Sequence, residues 1–344
     1  MKAVSPISLV SNEILYIILS LLDAKTLMIV VPQVCKLWRS MCQELHGMHL
    51  DFRWWGGNVP AEVLAGWKQA PATVGGAHAG GGGGGSSSSA GGRGLKTGLC
   101  ELFPRTTSVT MKNGIGVKDA HLMALADKCP GITYAYFQNC GNLTDAAVLA
   151  LVAKCPRITH AHFDFCWRLT DAAVLALADK CPGIAYVNFT DCWNLTDAAV
   201  IALADKCPGI THVDFNYCKN LTDAAVVALA DKCPEITHAN FTDCWNLTDA
   251  AVIVLADKCH GITHANFGRC YNLTDAAVIV LADTCPGITH ANFGRCWNLT
   301  DAAALALADK CPGITRADFS GCIKLTDEVK ASIEAQRPNC NFIY

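Results

Sequence analysis

The sequence has no C-x-x-C pair, although 20 of its 344 residues are cysteine. Structural zinc sites usually draw their thiolates from closely spaced pairs of that kind, so we expect no metal centre. Long apolar runs are also missing: the longest, from Ile14 to Leu22, is interrupted by Ser20 and is too short to cross a bilayer. The polar residues close to Met1 do not resemble a secretory signal peptide. Neither a zinc framework nor a membrane protein is therefore predicted.

An excess of charge of either sign is missing too. The net charge is −3 and 17% of residues are charged, which predicts no electrostatic footprint for nucleic acid or an anionic membrane. No Ser/His/Asp or Cys/His set stands outside the repeat pattern described below. The glycine run at 80–85 neither follows a strand nor opens a helix, so it does not indicate a phosphate-binding loop. We therefore expect no enzyme activity and no cofactor.

The sequence does contain one 26-residue unit in successive copies. Its first cysteine recurs at this period from Cys129 to Cys311, and its second from Cys140 to Cys322. A fixed period of 20–29 residues with the pattern L-x-x-L-x-L-x-x-(N/C)-x-L is typical of leucine-rich repeats. In one copy the pattern reads Ile236-x-x-Ala239-x-Phe241-x-x-Cys244-x-x-Leu247.

Each unit predicts one short strand and one helix. Residues 237–241 alternate between exposed and buried positions, as a strand does. Thr248 is the expected N-cap of a helix, and Asp249 lies in the first turn, where the helix dipole favours a carboxylate. One unit cannot bury its own apolar residues, whereas stacked units can. We therefore predict an α/β leucine-rich-repeat solenoid: a horseshoe with a parallel sheet on the concave side and helices on the convex side.

The two cysteine series are predicted to be core residues. Within a unit the two cysteines are 11 residues apart, at opposite ends of the strand and loop, which is too far for a disulfide. Neighbours within one series would point into the core side by side, and a buried free cysteine behaves as a small hydrophobe. This usage favours a reducing compartment, the cytoplasm or the nucleus.

Residues 1–46 predict three helices with apolar surface that a piece of this size cannot bury alone. The motif Leu9-x-x-x-Glu13-Ile14-Leu15, followed by Ile18-Leu19-Ser20-x-Leu22-Asp23 and Val34-Cys35-Lys36-x-Trp38-Arg39, resembles an F-box. With the cysteine-containing repeats, the chain is similar to the F-box/leucine-rich-repeat proteins. That resemblance implies a small all-α F-box that docks on a Skp-type adaptor of a cullin–RING ubiquitin ligase. The implied adaptor contacts are Leu9, Ile14, Leu15, Ile18, Leu22, Leu27, Val34 and Trp38.

The predicted domain order has four parts. After the F-box-like segment, 1–46, residues 47–71 are assigned to a helical extension, with a short helix at 60–69. Residues 72–98 form a Gly/Ser-rich flexible linker. Residues 99–344 form the repeat domain with its N- and C-terminal caps.

Outward strand positions vary between units while the inward Ala and Phe positions hardly change, which is typical of a binding face above a constant core. The predicted target-binding residues on the concave face are His160, His162, Asn188, His212, Asp214, His238, Asn240, His264, Asn266, His290 and Asn292. The row of histidines, expected about 5 Å apart, also raises the question of metal binding. No carboxylate or thiolate converges on it, so a polar face hydrogen-bonded to its Asn neighbours or a protein-binding face is favoured.

A second column follows the loop cysteines along one edge. Its members could anchor a partner, as aromatic residues often do, or simply stack on one another over the cysteines. The candidates at this edge are Trp193, Trp245, Tyr271, Trp297, Arg269 and Arg295.

The resemblance implies a substrate-recognition subunit of a Skp–cullin–F-box ubiquitin ligase whose concave face holds the target protein. The alternative is a protein-interaction scaffold that recruits no ligase. Blocking of an enzyme in the manner of ribonuclease inhibitor is a third hypothesis.

Overall fold

The computed structural model of the chain describes residues 48–51, 105–114 and 116–344. The predicted F-box helices in 1–46, their adaptor-binding residues and the linker 72–98 lie outside the described residues. Within the described part, no helix has the length and apolar character needed to cross a membrane.

Eleven strands form one sheet in which every strand pairs in parallel with its sequence neighbours. They are β1 (Met48–Asp51), β2 (Thr106–Lys112), β3 (Tyr134–Gln138), β4 (His160–His162), β5 (Tyr186–Asn188), β6 (His212–Asp214), β7 (His238–Asn240), β8 (His264–Asn266), β9 (His290–Asn292), β10 (Arg316–Asp318) and β11 (Asn341–Ile343). Equivalent positions of neighbouring units face each other, as His212 faces His238. Each sequence column therefore becomes a physical row across the sheet.

Helices alternate with the strands along the described chain. They are α1 (Asp119–Lys128), α2 (Asp145–Lys154), α3 (Asp171–Lys180), α4 (Asp197–Lys206), α5 (Asp223–Lys232), α6 (Asp249–Lys258), α7 (Asp275–Thr284), α8 (Asp301–Lys310) and α9 (Asp327–Gln336). The predicted cap at Thr248 is confirmed, because its hydroxyl accepts a hydrogen bond from the backbone N–H of Ala250. Cys259 is the C-cap of the same helix.

The core runs through the repeats as a series of stacked layers. Phe137 to Phe319 form a continuous row of buried rings, with successive centroids 5.6–6.1 Å apart. The helices contribute buried Ala, Val and Leu residues at equivalent positions. The predicted leucine-rich-repeat solenoid, with a parallel sheet and alternating helices, is confirmed.

All sixteen cysteines of the two series are buried and free of disulfides. The thiol of Cys244 donates to the carbonyl of Phe215, 3.3 Å away in the preceding unit, and Cys270 does the same to Phe241. In the other series, Cys233 donates to the carbonyl of Cys207 over 3.5 Å. The cysteines therefore fill the core, and each of these thiols adds a second donor to a carbonyl that already accepts a backbone N–H.

The sheet begins earlier in the chain than the repeat pattern does. β1 lies in the segment 47–71, for which the sequence suggested a helical extension, and it pairs in parallel with β2. The short helix expected at 60–69 lies outside the described residues. The domain boundaries themselves stay predictions.

Candidate functional site: the concave histidine groove

Four histidines stand side by side on the sheet. The rings of His212, His238, His264 and His290 are stacked, with successive centroids 4.0, 4.0 and 4.4 Å apart and interplanar angles below 20°. We call these four residues the histidine ladder. They occupy the first position of four neighbouring parallel strands, which is why one sequence column yields a regular stack.

Each ring of the ladder is held by the threonine that precedes it. Nδ1 of His238 lies 2.8 Å from the Thr237 hydroxyl, and the other three pairs have distances of 2.8–3.0 Å. The threonine hydroxyl in turn lies 3.3 Å from the carbonyl of Thr211 in the preceding unit. The expected hydrogen bonds from the histidines to Asn neighbours are not made at Nδ1, because threonine occupies that atom.

A groove of about 380 Å³ runs over the ladder. Its lining comprises Tyr186, His212, Val213, Asp214, His238, Ala239, Asn240, His264, Ala265, Asn266, His290, Ala291, Asn292 and Arg316. The structure therefore brings eight of the eleven predicted concave residues into one groove. The other three are not in its lining: Asn188 lies on β5 with Tyr186, and His160 and His162 lie on the next strand, β4.

Three of the four ladder histidines, His212, His238 and His264, are hard to protonate. Burial lowers the pKa of His212, His238 and His264, and positive charge on neighbouring imidazoles lowers it further. For His238, which stands between two other histidines, the pKa falls to about 4. Loss of hydration is the larger cause, and repulsion between charged imidazoles adds to it. These three rings are therefore neutral near pH 7.

The Asn and Asp residues at the last position of strands β5 to β9 make hydrogen bonds at the ends of these strands. The side-chain oxygen of Asn240 accepts hydrogen bonds from the backbone N–H and the hydroxyl of Thr242, and its amide donates to Asp214. Asn188, Asp214, Asn266 and Asn292 likewise accept from the N–H two residues later. These side chains form Asx turns, so the predicted binding column also has a structural role.

His162 differs from the other predicted histidines because it is only 6% exposed. Its ring lies between Tyr134, Tyr136 and Tyr186, with centroid distances of 5.4, 4.9 and 4.3 Å. Burial lowers its pKa to about 4. Because its ring is buried among these tyrosines, it does not reach a ligand in this conformation.

The ladder geometry does not suit a metal ion. The Nε2 lone pairs of parallel rings point in the same direction, whereas ligands of one ion must converge on it at about 2.0–2.1 Å. Among the described residues, no group of three His, Cys, Asp or Glu side chains is arranged to hold a metal.

The aromatic edge lies beside the loop cysteines. Trp193, Trp245 and Trp297 are 46%, 39% and 48% exposed. Tyr271 and Trp297 stack with centroids 4.5 Å apart, and Tyr271 lies 6.3 Å from Trp245. The stacking alternative therefore describes part of this edge, yet the indole rings remain accessible to a partner.

One of the two arginines at the aromatic edge is held by an ion pair, and the other is exposed. Arg269 pairs with the buried carboxylate of Asp243 over 3.2 Å. Arg295 is exposed.

Both arginines have a positive φ of 59°, a feature that recurs in the residue before each loop cysteine from Asn139 to Arg295. The left-handed conformation directs the backbone N–H of Arg269 to the carbonyl of Gly294, 2.7 Å away in the next unit. No sequence signal indicated this, because only Gly321 in the column is glycine.

Comparison with known proteins gives no family assignment: no family model and no curated protein matches the chain. Two solved structures show a distant likeness. A chain from the yeast complex of Rad7 and Elc1 is 17% identical, with a TM-score of 0.49, and the match covers 71% of this chain and 76% of that one. An internalin from Listeria monocytogenes is 11% identical, with a TM-score of 0.39 and 93% of each chain covered.

Proposed function

We propose that the chain is the substrate-recognition subunit of a Skp–cullin–F-box ubiquitin ligase and has no catalytic activity of its own. Residues 1–46 would act as the F-box and bind a Skp-type adaptor, and the concave groove would bind the target protein. The repeats would then belong to the cysteine-containing subtype. A reducing compartment, cytoplasm or nucleus, accords with sixteen buried free thiols.

The observation that carries the target-binding role is the contrast between the two sides of the sheet. Inward positions repeat the same buried Phe and small residues in every unit. Outward positions change from Tyr186 through Asp214 to Arg316 and line a continuous groove. Variable polar residues on a rigid scaffold are the usual form of a protein-recognition surface.

The adaptor role is supported by the F-box-like motif of the sequence. Its test is affinity purification of the tagged full chain from eukaryotic cells, with the co-purified adaptor and cullin measured by mass spectrometry. Leu15→Ala/Trp38→Ala should reduce adaptor recovery strongly, since loss of a central apolar anchor typically costs about 2 kcal/mol or more in binding. Equal recovery by the wild type and this variant would contradict the proposal.

The target-binding role is tested separately on the same purification. His238→Ala/His264→Ala/His290→Ala should lose co-purified proteins other than the adaptor and cullin, while circular dichroism shows that the variant remains folded. His260→Ala is the matched control, because His260 is exposed outside the groove. If the triple variant retains its partners, the aromatic edge becomes the candidate, and Trp193→Ala/Trp297→Ala tests it.

The scaffold alternative is favoured by the uniformity of the units. Residues 247–272 and 273–298 differ at only three positions: Lys258/Thr284, His260/Pro286 and Tyr271/Trp297. Target capture without recovery of an adaptor would support a scaffold that recruits no ligase.

A further inference from the structure

The hydrogen bonds beneath the ladder determine which nitrogen of each ring carries the proton. A threonine hydroxyl has one hydrogen and can donate it once. The Thr237 hydroxyl faces the carbonyl of Thr211 at 3.3 Å, and a carbonyl can only accept. The hydroxyl must therefore accept from Nδ1 of His238, 2.8 Å away, if both contacts are to be attractive.

The same arrangement recurs under every ring of the ladder. Thr211 faces the carbonyl of Ala185 at 3.1 Å, Thr263 that of Thr237 at 3.3 Å, and Thr289 that of Thr263 at 3.2 Å. In its neutral form, each ring is therefore protonated at Nδ1 and carries a lone pair at Nε2. Within the described part of the chain, no hydrogen bond to these Nε2 atoms is found, and the rings line the groove.

The groove thus presents a row of acceptors. Rings stacked at 4.0–4.4 Å place four Nε2 lone pairs in one line. The charged groups beside them are Asp214 on β6 and, on β10, Arg316 with Asp318 at 3.9 Å from it. Tyr186 on β5 stands against His212, with its ring centroid 5.1 Å away. Asp214 lies in the groove without a salt-bridge partner among the described residues, so the surroundings favour positive charge at the His212 end.

We infer that the histidine ladder binds a lysine- or arginine-rich segment of the target protein, whose N–H groups donate to the row of Nε2 atoms. This inference rests on the proposed target-binding role of the concave face and specifies its chemistry. A segment with only carboxylates would present acceptors to acceptors and is excluded by the same arrangement. Spacing of 4.0–4.4 Å lets one ammonium or guanidinium group contact two neighbouring rings.

The first test measures the tautomer directly. In the full chain at pH 7.5, ¹⁵N-resolved NMR of the histidine side chains should show His238 and His264 protonated at Nδ1, assigned with His→Phe variants. A ladder protonated at Nε2 would overturn the inference, because the groove would then present donors.

The second test uses a fluorescein-labelled lysine octamer and a glutamate octamer in 150 mM salt. The lysine octamer should bind the wild type. It should bind His238→Phe/His264→Phe at least tenfold more weakly, because this variant keeps aromatic rings but has no acceptor nitrogen at these two positions. His260→Phe is the matched control and should bind like the wild type. Equal binding by all three proteins, or preferential binding of the glutamate octamer, would overturn the inference.

These outcomes can be separated from those of the proposed function. If His238→Ala/His264→Ala/His290→Ala loses its cellular partners but the lysine octamer does not bind the wild type, the ligand chemistry is wrong and the target-binding role stands. If the octamer binds at the ladder while the triple variant retains all partners, the ladder is a cation-binding row, but its target-binding role, and with it the inference about a segment of the target, is contradicted.

Discussion

Asp223 in the first turn of α5 holds the N-cap of the next helix, Thr248, through two hydrogen bonds. One carboxylate oxygen accepts from the Thr248 backbone N–H at 2.8 Å, and the other accepts from its hydroxyl at 2.6 Å. The Thr248 hydroxyl then accepts from Ala250. The same link joins every successive pair of helices, from Asp119–Thr144 to Asp301–Thr326. The aspartate therefore stabilises both its own helix, through the dipole, and the next one, through the cap.

This link predicts a specific loss of stability. Asp223→Ala removes a charged acceptor from two donors and should lower the free energy of unfolding by about 1–2 kcal/mol. Urea denaturation followed by circular dichroism measures it. Asp231→Ala, an exposed aspartate at the other end of the same helix, is the matched control and should change stability by less than about 0.5 kcal/mol. Similar losses at both sites would show that the link contributes little.

The cysteine series make a prediction about reactivity. Burial raises the pKa of Cys244 to about 12, and the pKa values of Cys155, Cys207 and Cys259 are raised to the same level. Because the thiolate is the reactive form, these cysteines should resist alkylation in the native protein. Intact-mass spectrometry after iodoacetamide treatment at pH 8 should show at most four adducts, on Cys35, Cys42, Cys100 and Cys340, the cysteines outside the two series.

Full labelling in urea is the control for that experiment. Rapid addition of more than four adducts without denaturant would mean that the repeats open readily. It would also contradict the burial of the thiols.

Local features of the unit could be read from the sequence. The helix of Asp249–Lys258, its cap at Thr248 and the buried Phe241 follow from periodicity and from capping preferences, which act within one unit. The concave row of histidines followed from column position alone, because parallel strands pair in register.

Relations between units were not predictable in the same way. Asn240 was predicted only as an outward target-binding residue, but its side chain also binds Thr242 and Asp214. The positive φ of Asp243 and the second role of Asp223 were missed as well. These contacts depend on the distance and rotation between stacked units, which no single-unit pattern encodes.

The residue before each loop cysteine has a positive φ, and this predicts the effect of replacing the glycine at that position in the last unit. Gly321 has a φ of +73°, and a Cβ there would lie 3.0 Å from Cγ of Arg295. Gly321→Ala should therefore lower the free energy of unfolding by about 1–2 kcal/mol. Gly313→Ala in the same unit is the matched control, since its Cβ would meet Thr289 only at 4.0 Å. Urea denaturation of both variants checks this, and an equal change in free energy for the two variants would mean that the backbone conformation at Gly321 does not disfavour alanine.

The ladder predicts how stability depends on pH. The pKa of His238 is about 4 in the folded protein, against about 6.5 for a free histidine, so the unfolded chain binds more protons between these values. Unfolding is therefore favoured as the pH falls from about 6.5 to 4, and the contribution of His238 to stability is fully present above about 6.5.

His238→Phe keeps a ring in the stack and removes this titration, so its melting temperature should fall less steeply than that of the wild type across this window. His260→Phe removes a histidine outside the ladder and should leave the wild-type slope unchanged. Melting temperatures from pH 7.5 to 4 measure the three slopes. Parallel curves for the wild type and His238→Phe would mean that the ring of His238 is hydrated enough to titrate as in the unfolded chain.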